Sequence, residues 1–287
     1  MAVAVIVIIL LILMLGLAFG IGSNDETMAT LVGSKAIKTK YAIALGAILV
    51  FFGVVFFSEN VSKTIGENLL GENVEYNVYM LLAIIISTTI WLVVASQTGV
   101  PISTTHSVVG AVFGVAIVWS FQGSGSFGQS MDWGTLGEVA LGWVISPLLG
   151  FFGAIIFKIL IEKFLSKMQK GLDRVEKTER IFAVLLILAV GWSQFSRGGN
   201  DSANALGILY GLIENGSIRN FMPFFLIAKP GVGLTSGIFT KFTVTSINPI
   251  YLVMAVGAMI ALGIIVIGKN VIKNVGNNLI AIKPSDA

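Results

Sequence analysis

Cysteine is absent from this 287-residue chain, so disulfides, thiolate metal sites and cysteine nucleophiles are excluded, and nothing follows about redox compartment. Charge is scarce. Only 11% of residues are charged against 55% hydrophobic, with a mean hydropathy of +0.92, which excludes an ordinary soluble domain. Strand-like ten-residue alternation is also missing. Because backbone inside lipid must satisfy its own hydrogen bonds, helices rather than a barrel are expected. No basic residue precedes the first apolar run, and that run continues into a polar motif, so it is read as a span and not as a cleaved signal.

What the chain has is long apolar runs, at about 2–20, 41–57, 78–97, 101–119, 137–157, 181–196 and 250–267. Each approaches the roughly 20 residues that a bilayer-crossing helix needs. The net charge of +3 says little by itself, but its distribution is informative. Lys158, Lys163, Lys167, Lys170, Arg174, Lys177 and Arg180 crowd one polar segment, and Lys35, Lys38 and Lys40 another. The positive-inside rule makes both cytoplasmic. Residues 58–77, with Glu59, Glu67, Glu72 and Glu75 against Lys63, and residues 120–135, without Lys or Arg, fit the opposite side. The expected organisation is a first transmembrane repeat over 1–157, a basic cytoplasmic linker over 158–180 and a second repeat over 181–287. No nucleic-acid partner is expected.

The repeats show in the residues. FGIGSNDETMA (Phe19 to Ala29) matches FSRGGNDSANA (Phe195 to Ala205) at Phe19/Phe195, Gly22/Gly198, Asn24/Asn200, Asp25/Asp201 and Ala29/Ala205. Downstream, NVSKTIGENLL (Asn60 to Leu70) resembles NVIKNVGNNLI (Asn270 to Ile280). The wider spacing in the second half implies an insertion near 229–248. The first copy enters from outside and the second from the inside linker, so an inverted repeat with broken or re-entrant helices is expected.

Ionisable groups at membrane depth are functional-site candidates. Asp25, Glu26 and Asp201 qualify. In each copy Gly-Ser or Gly-Gly precedes Asn-Asp, so the helix is expected to unwind there, exposing carbonyls beside Asn24 and Asp25, or Asn200 and Asp201. Such oxygen donors suit a hard cation such as sodium. One copy alone would read as ordinary turn chemistry; two copies at matching places favour a site. The third cluster is QTGVPISTTHS (Gln97 to Ser107). Pro101 fits the first turn of a new helix, and Ser103, Thr104, Thr105 and Ser107 gather hydroxyls and unpaired amides at its start, suited to an anion such as phosphate. The plainer reading is a polar loop that caps a helix. His106, the single histidine, could orient a hydroxyl, accept a proton or serve as a structural donor.

Other patterns carry less. Gly123, Gly125 and Gly128 spell GxGxxG without a preceding strand, so no nucleotide site is inferred. Gly16/Gly20, Gly110/Gly114 and Gly207/Gly211 read as helix-packing pairs. Asn60, Asn200 and Asn215 begin formal glycosylation sequons, but Asn200 is better accounted for by the repeat.

In GSND and its counterpart GGNDSANA, in the paired NVSKTIGENLL-type segments and in PISTTH, the chain resembles the inorganic phosphate transporter family. That family includes sodium–phosphate symporters, proton or metal–phosphate symporters and some sulfate permeases. The resemblance runs to about Ile280. It implies an all-α polytopic membrane protein of inverted-repeat fold, usually a homodimer, that binds phosphate and cations near the membrane midplane. Phosphate is then expected at Ser103, Thr104, Thr105, Asn24, Asn200 and Asn204, and sodium at Asp25, Asp201, Asn24 and Asn200. Glu26, His106 and Ser202 are possible accessories. Two departures stand out. Met28 and Thr30 replace what the second copy has at Asn204 and Leu206, and a second PISTTH-like segment, expected after NVGNNLI, is missing before KPSDA, as in a fragment of a longer transporter.

The expected activity is secondary transport of phosphate, with no enzymatic step. A carboxylate and an anion about 4 Å apart repel by roughly 4 kcal/mol at an effective dielectric of 20, so the anion should bind poorly until a cation, sodium or a proton, intervenes. The same-fold alternatives are a proton-coupled or sulfate permease, and the different one is an anion channel.

Overall fold

A computed structural model describes residues 2–57, 69–71, 74, 77–123, 125–168, 172–214 and 250–279. The chain runs through α1 (Ala2–Ser23), a short α2 (Ala29–Gly33), α3 (Thr39–Phe57), α4 (Val78–Thr98), α5 (Thr104–Phe121), a 3-10 turn (Phe127–Gln129), α6 (Trp133–Met168) and α7 (Leu172–Glu214). It ends in α8 (Ile250–Gly263) and α9 (Lys269–Asn274), joined and followed by π-helical turns (Ile264–Gly268 and Val275–Leu279). Six helices among the described residues are long and apolar enough to cross a membrane, and Ile8–Ser23 is a shorter apolar helix. The architecture is all-α and polytopic, and each apolar run of the sequence forms a helix over most of its length.

The helix ends follow local chemistry. Asn77 accepts the Met80 amide at 2.9 Å and so caps α4. Asp132 caps α6, its carboxylate accepting the amides of Gly134 and Thr135 at 2.9 and 3.1 Å and the Thr135 hydroxyl at 3.0 Å. The Thr135 amide and hydroxyl hold the Asp132 carboxyl below the ordinary carboxylate range. Residues 69–71 meet 130–132 in a short antiparallel contact, with Gly71 N donating to Ser130 O and Asp132 N to Leu69 O. The two segments expected on one side of the membrane therefore touch at these residues.

Lipid is as apolar as leucine, so helices in it associate through close packing rather than through expulsion of water. Two crossings show this. Where α1 meets α8, a Cβ on Gly22 would collide with the Ile260 carbonyl, and one on Gly263 with the Phe19 carbonyl. Where α3 meets α7, a Cβ on Gly53 would strike the Phe195 carbonyl, and one on Gly199 would strike Phe57. The GxxxG pairs singled out in the sequence are not these contacts. A Cβ on Gly16, Gly110 or Gly114 would meet nothing within 4 Å, and one on Gly20 only ordinary neighbours. Side-chain surroundings of Gly207 and Gly211 lie outside the described residues.

Two further expectations need correcting. The second motif copy does not unwind, because α7 runs unbroken through Gly198–Asp201. Gly198 lies against the Val50 backbone and Gly199 against Phe57, so these glycines serve close approach to α3 rather than a break. The helix after Pro101 starts at Thr104, with Ser103 as its N-cap; residues 100–102 are held outside it by contacts described below. The insertion near 229–248, residues 60–68 of the first NVSKTIGENLL segment, and Asn60 and Asn215 lie outside the described residues.

Gly53→Ala should lower stability by about 1–3 kcal/mol through overpacking at the α3–α7 crossing. Gly110→Ala, with open space around it and better helix propensity, should not lower the melting temperature. Thermal denaturation of purified protein in detergent compares the two.

Candidate functional site

The site grows from the break after α1. Ser23 closes the helix by donating its hydroxyl to Gly20 O at 2.7 Å. Asn24 then reaches across to the α4–α5 turn: its Nδ2 donates to Ser96 Oγ at 3.0 Å and to Val100 O at 3.1 Å, and its Oδ1 accepts the Ile102 amide at 2.7 Å. That last bond fixes the chain just before Ser103. On the other flank, Asn274 Nδ2 donates to Gly99 O at 2.8 Å, and Gly99 takes the left-handed conformation (φ 74) that ends α4. Two asparagines from distant segments thus hold the turn that launches α5.

At the start of α5, Ser103 Oγ accepts the His106 amide at 3.2 Å, and Ser103 O accepts the Ser107 amide. Helix geometry leaves the amides of Thr104 and Thr105 without intrahelical acceptors. Ser103, Thr104 and Thr105 line a cavity of about 840 Å³ together with Glu26, Trp192, Ser196, Arg197, Asn200 and Asp201. Both motif copies and the PISTTH segment therefore meet around one space.

The carboxylates divide into two settings. Asp25, 4% exposed, accepts the Thr27 amide on Oδ1 at 2.9 Å and the Gln194 side-chain amide on Oδ2 at 2.6 Å. Glu26 and Asp201 instead share one guanidinium: Arg197 Nη1 lies 2.8 Å from Glu26 Oε1, and its Nε 2.9 Å from Asp201 Oδ2. Nη1 also donates to Thr27 Oγ1 at 3.2 Å.

Other expected site residues spread more widely. Asn24 is 2% exposed, and both of its amide hydrogens are engaged in the clamp, so here it supports the turn. Asn200 is exposed and borders the cavity. Ser202 is fully buried, its hydroxyl donating back to Gly199 O at 2.9 Å. Asn204 is buried, its Nδ2 donating to Asp201 O at 3.3 Å and its Oδ1 left without a partner among the described residues. His106 stacks on Trp143 with centroids 3.9 Å apart and is not among the residues lining the cavity.

Arg197 and Gln194 were missed by the sequence reading. Arg197 could have been found, since it is an ionisable residue inside an apolar helix and stands in the second motif where the first has Ile21. Gln194 precedes the motif and gave no signal.

Comparison with known proteins accords with this geometry. The family model described as "Phosphate transporter family" matches residues 19–287. A protein of Pyrococcus abyssi provisionally named a phosphate permease is 36% identical over 199 residues, covering 67% of this chain and 47% of the relative. The chloroplastic inorganic phosphate transporter 2-1 of Arabidopsis thaliana is 35% identical over 154 residues, or 51% of this chain and 25% of the relative. The chain spans about half or less of the length of these curated relatives. A solved structure titled "The sodium-dependent phosphate transporter" shares the fold, with a TM-score of 0.74 at 24% identity, over 100% of this chain and 80% of that one. With its family model matched over nearly its whole length and its apolar helices gathered around the motif residues, the chain is a multi-pass membrane protein that belongs to the phosphate transporter family.

Proposed function

We propose that this chain carries the binding site of a cation-coupled phosphate transporter, a symporter whose coupling ion is sodium. The observation that carries the reading is the shared cavity, where the hydroxyls and free amides at the start of α5 face Glu26 of the first motif copy, Asn200 and Asp201 of the second, and a guanidinium. Phosphate would sit against Ser103, Thr104 and Thr105, with Asn200 at its edge, where the amide end of the helix favours negative charge. Asp25 supplies the carboxylate for a hard cation. Its hard carboxylate oxygens support sodium over softer ions, and the fold is shared with a structure titled as sodium-dependent.

The two-repeat organisation, 1–157 and 181–287 around a cytoplasmic linker at 158–180, belongs to the same reading. Its support is that the two motif copies contact each other directly through Arg197–Glu26, with Gln194, just before the second copy, bonded to Asp25 of the first. Basic residues of the linker set its side of the membrane. A homodimer follows from the family resemblance.

The deciding experiment is uptake of labelled phosphate into proteoliposomes with and without an inward sodium gradient. Sodium-driven accumulation supports the reading; uptake that ignores sodium and proton gradients and follows only the phosphate gradient and the membrane potential would point to an anion channel. Within a functional protein, Ser103→Ala combined with Thr105→Val should weaken phosphate binding by about ten- to a hundredfold. That range corresponds to loss of about 1.5–3 kcal/mol for hydrogen bonds to a charged ligand. Asn24→Ala should act indirectly by releasing the Ile102 amide and Val100 carbonyl, lowering thermal stability by roughly 1–3 kcal/mol together with phosphate affinity. Denaturation and binding measured on the same preparation check both effects.

A further inference from the structure

Three carboxylates meet near the cavity, yet they are not alike. Glu26 and Asp201 close on Arg197 at 2.8 and 2.9 Å, whereas the hydrogen-bond donors to Asp25 are neutral: the Thr27 amide and the Gln194 side chain. Among the described residues Asp25 has no ion-pair partner within 4 Å. Arg197 is also well placed to stay where it is. Its side chain is 30% exposed, its Nε faces a carboxylate on its own helix, and its Nη1 bonds both Glu26 and Thr27. An arginine does not deprotonate in a protein, so this positive charge is permanent.

We propose that Arg197 is a built-in counter-cation, which fills the place between Glu26 and Asp201 that an exchangeable ion would otherwise take and leaves Asp25 to recruit the coupling cation. This rests on reading the cavity as a transport site, and it deepens that reading by fixing which carboxylate takes the ion. The duplicated Asn-Asp motif suggests two equivalent cation positions; the structure makes them inequivalent. One carboxylate pair has its positive charge supplied by the chain, and its neighbour does not. The guanidinium also borders the space beside Ser103–Thr105, so an arriving oxyanion meets a fixed positive charge whose planar donors match two oxygens at once. Glu26 and the anion then compete for the same Nη groups.

The inference is tested by counting sodium ions, independently of transport. An ion that binds only the folded protein raises its stability in proportion to the logarithm of concentration, with a slope set by the number of sites. Thermal denaturation of the full chain in detergent would be followed against sodium chloride, with choline chloride keeping ionic strength constant. Asp25→Asn should lose the sodium slope, and Asp201→Asn should keep the wild-type slope. Arg197→Gln should gain about one ion in slope, and Arg197→Lys should restore the wild-type value. A slope that falls in Asp201→Asn, or one unchanged in a folded Arg197→Gln, would overturn the proposal. If Arg197→Gln does not fold, Asp201→Asn decides alone. A wild type without any sodium slope would count against sodium as the coupling ion, while the gain or absence of a slope in Arg197→Gln would still judge the role of Arg197.

Discussion

Backbone that leaves a helix inside a bilayer finds no water, so every freed amide and carbonyl must be met by the protein itself. Asn24 meets that constraint for the α4–α5 turn. A single side chain donates to Ser96 and Val100 and accepts from Ile102, so the turn can be irregular without leaving these groups unsatisfied. Asn274 adds the Gly99 carbonyl from the opposite flank. The start of α5 is therefore held in place from both sides, and its open amides remain free for a ligand rather than being consumed in stabilising the loop.

Much of the fold was legible because lipid imposes a simple rule: apolar runs near 20 residues become helices, and the runs ending at Phe57, Gln97 and Trp119 do so within a few residues. The meeting of the two Asn-Asp copies was legible through their repetition. Their conformations were not. Gly-Ser before Asn24 and Gly-Gly before Asn200 look equally able to break a helix, yet only the first does. The difference is tertiary. Gly198 and Gly199 let α7 lie against Val50 and Phe57, and a straight helix is what presents that small-residue face to α3. Glycine pairs at GxxxG spacing misled for a related reason: spacing identifies a groove, but only the neighbouring helix decides whether the groove is filled.

Electrostatics was the least legible layer. Asp25 and Asp201 occupy the same position in the duplicated motif, and symmetry assigns them the same role. What separates them lies off the matched positions, at Gln194 and Arg197, whose counterparts in the first copy are Ala18 and Ile21. Repetition makes shared residues conspicuous and hides the unshared ones. In a duplicated protein the unshared polar residues are where the two halves become different.

The unbroken α7 gives those residues their effect. Gln194, Arg197 and Asp201 are spaced i, i+3 and i+7, which puts an amide, a guanidinium and a carboxylate on one face of one rod. The partner face is the opposite kind of structure, the short non-helical stretch after Ser23 that carries Asp25, Glu26 and Thr27. Gln194 holds Asp25 and Arg197 holds Glu26 and Thr27 across this junction. Moving α7 relative to the break would strain both holds together, because both side chains stand on one unbroken helix. The cost of such a movement depends on what replaces the lost partners. On the reading proposed above, a cation at Asp25 and an anion at Arg197 would do so.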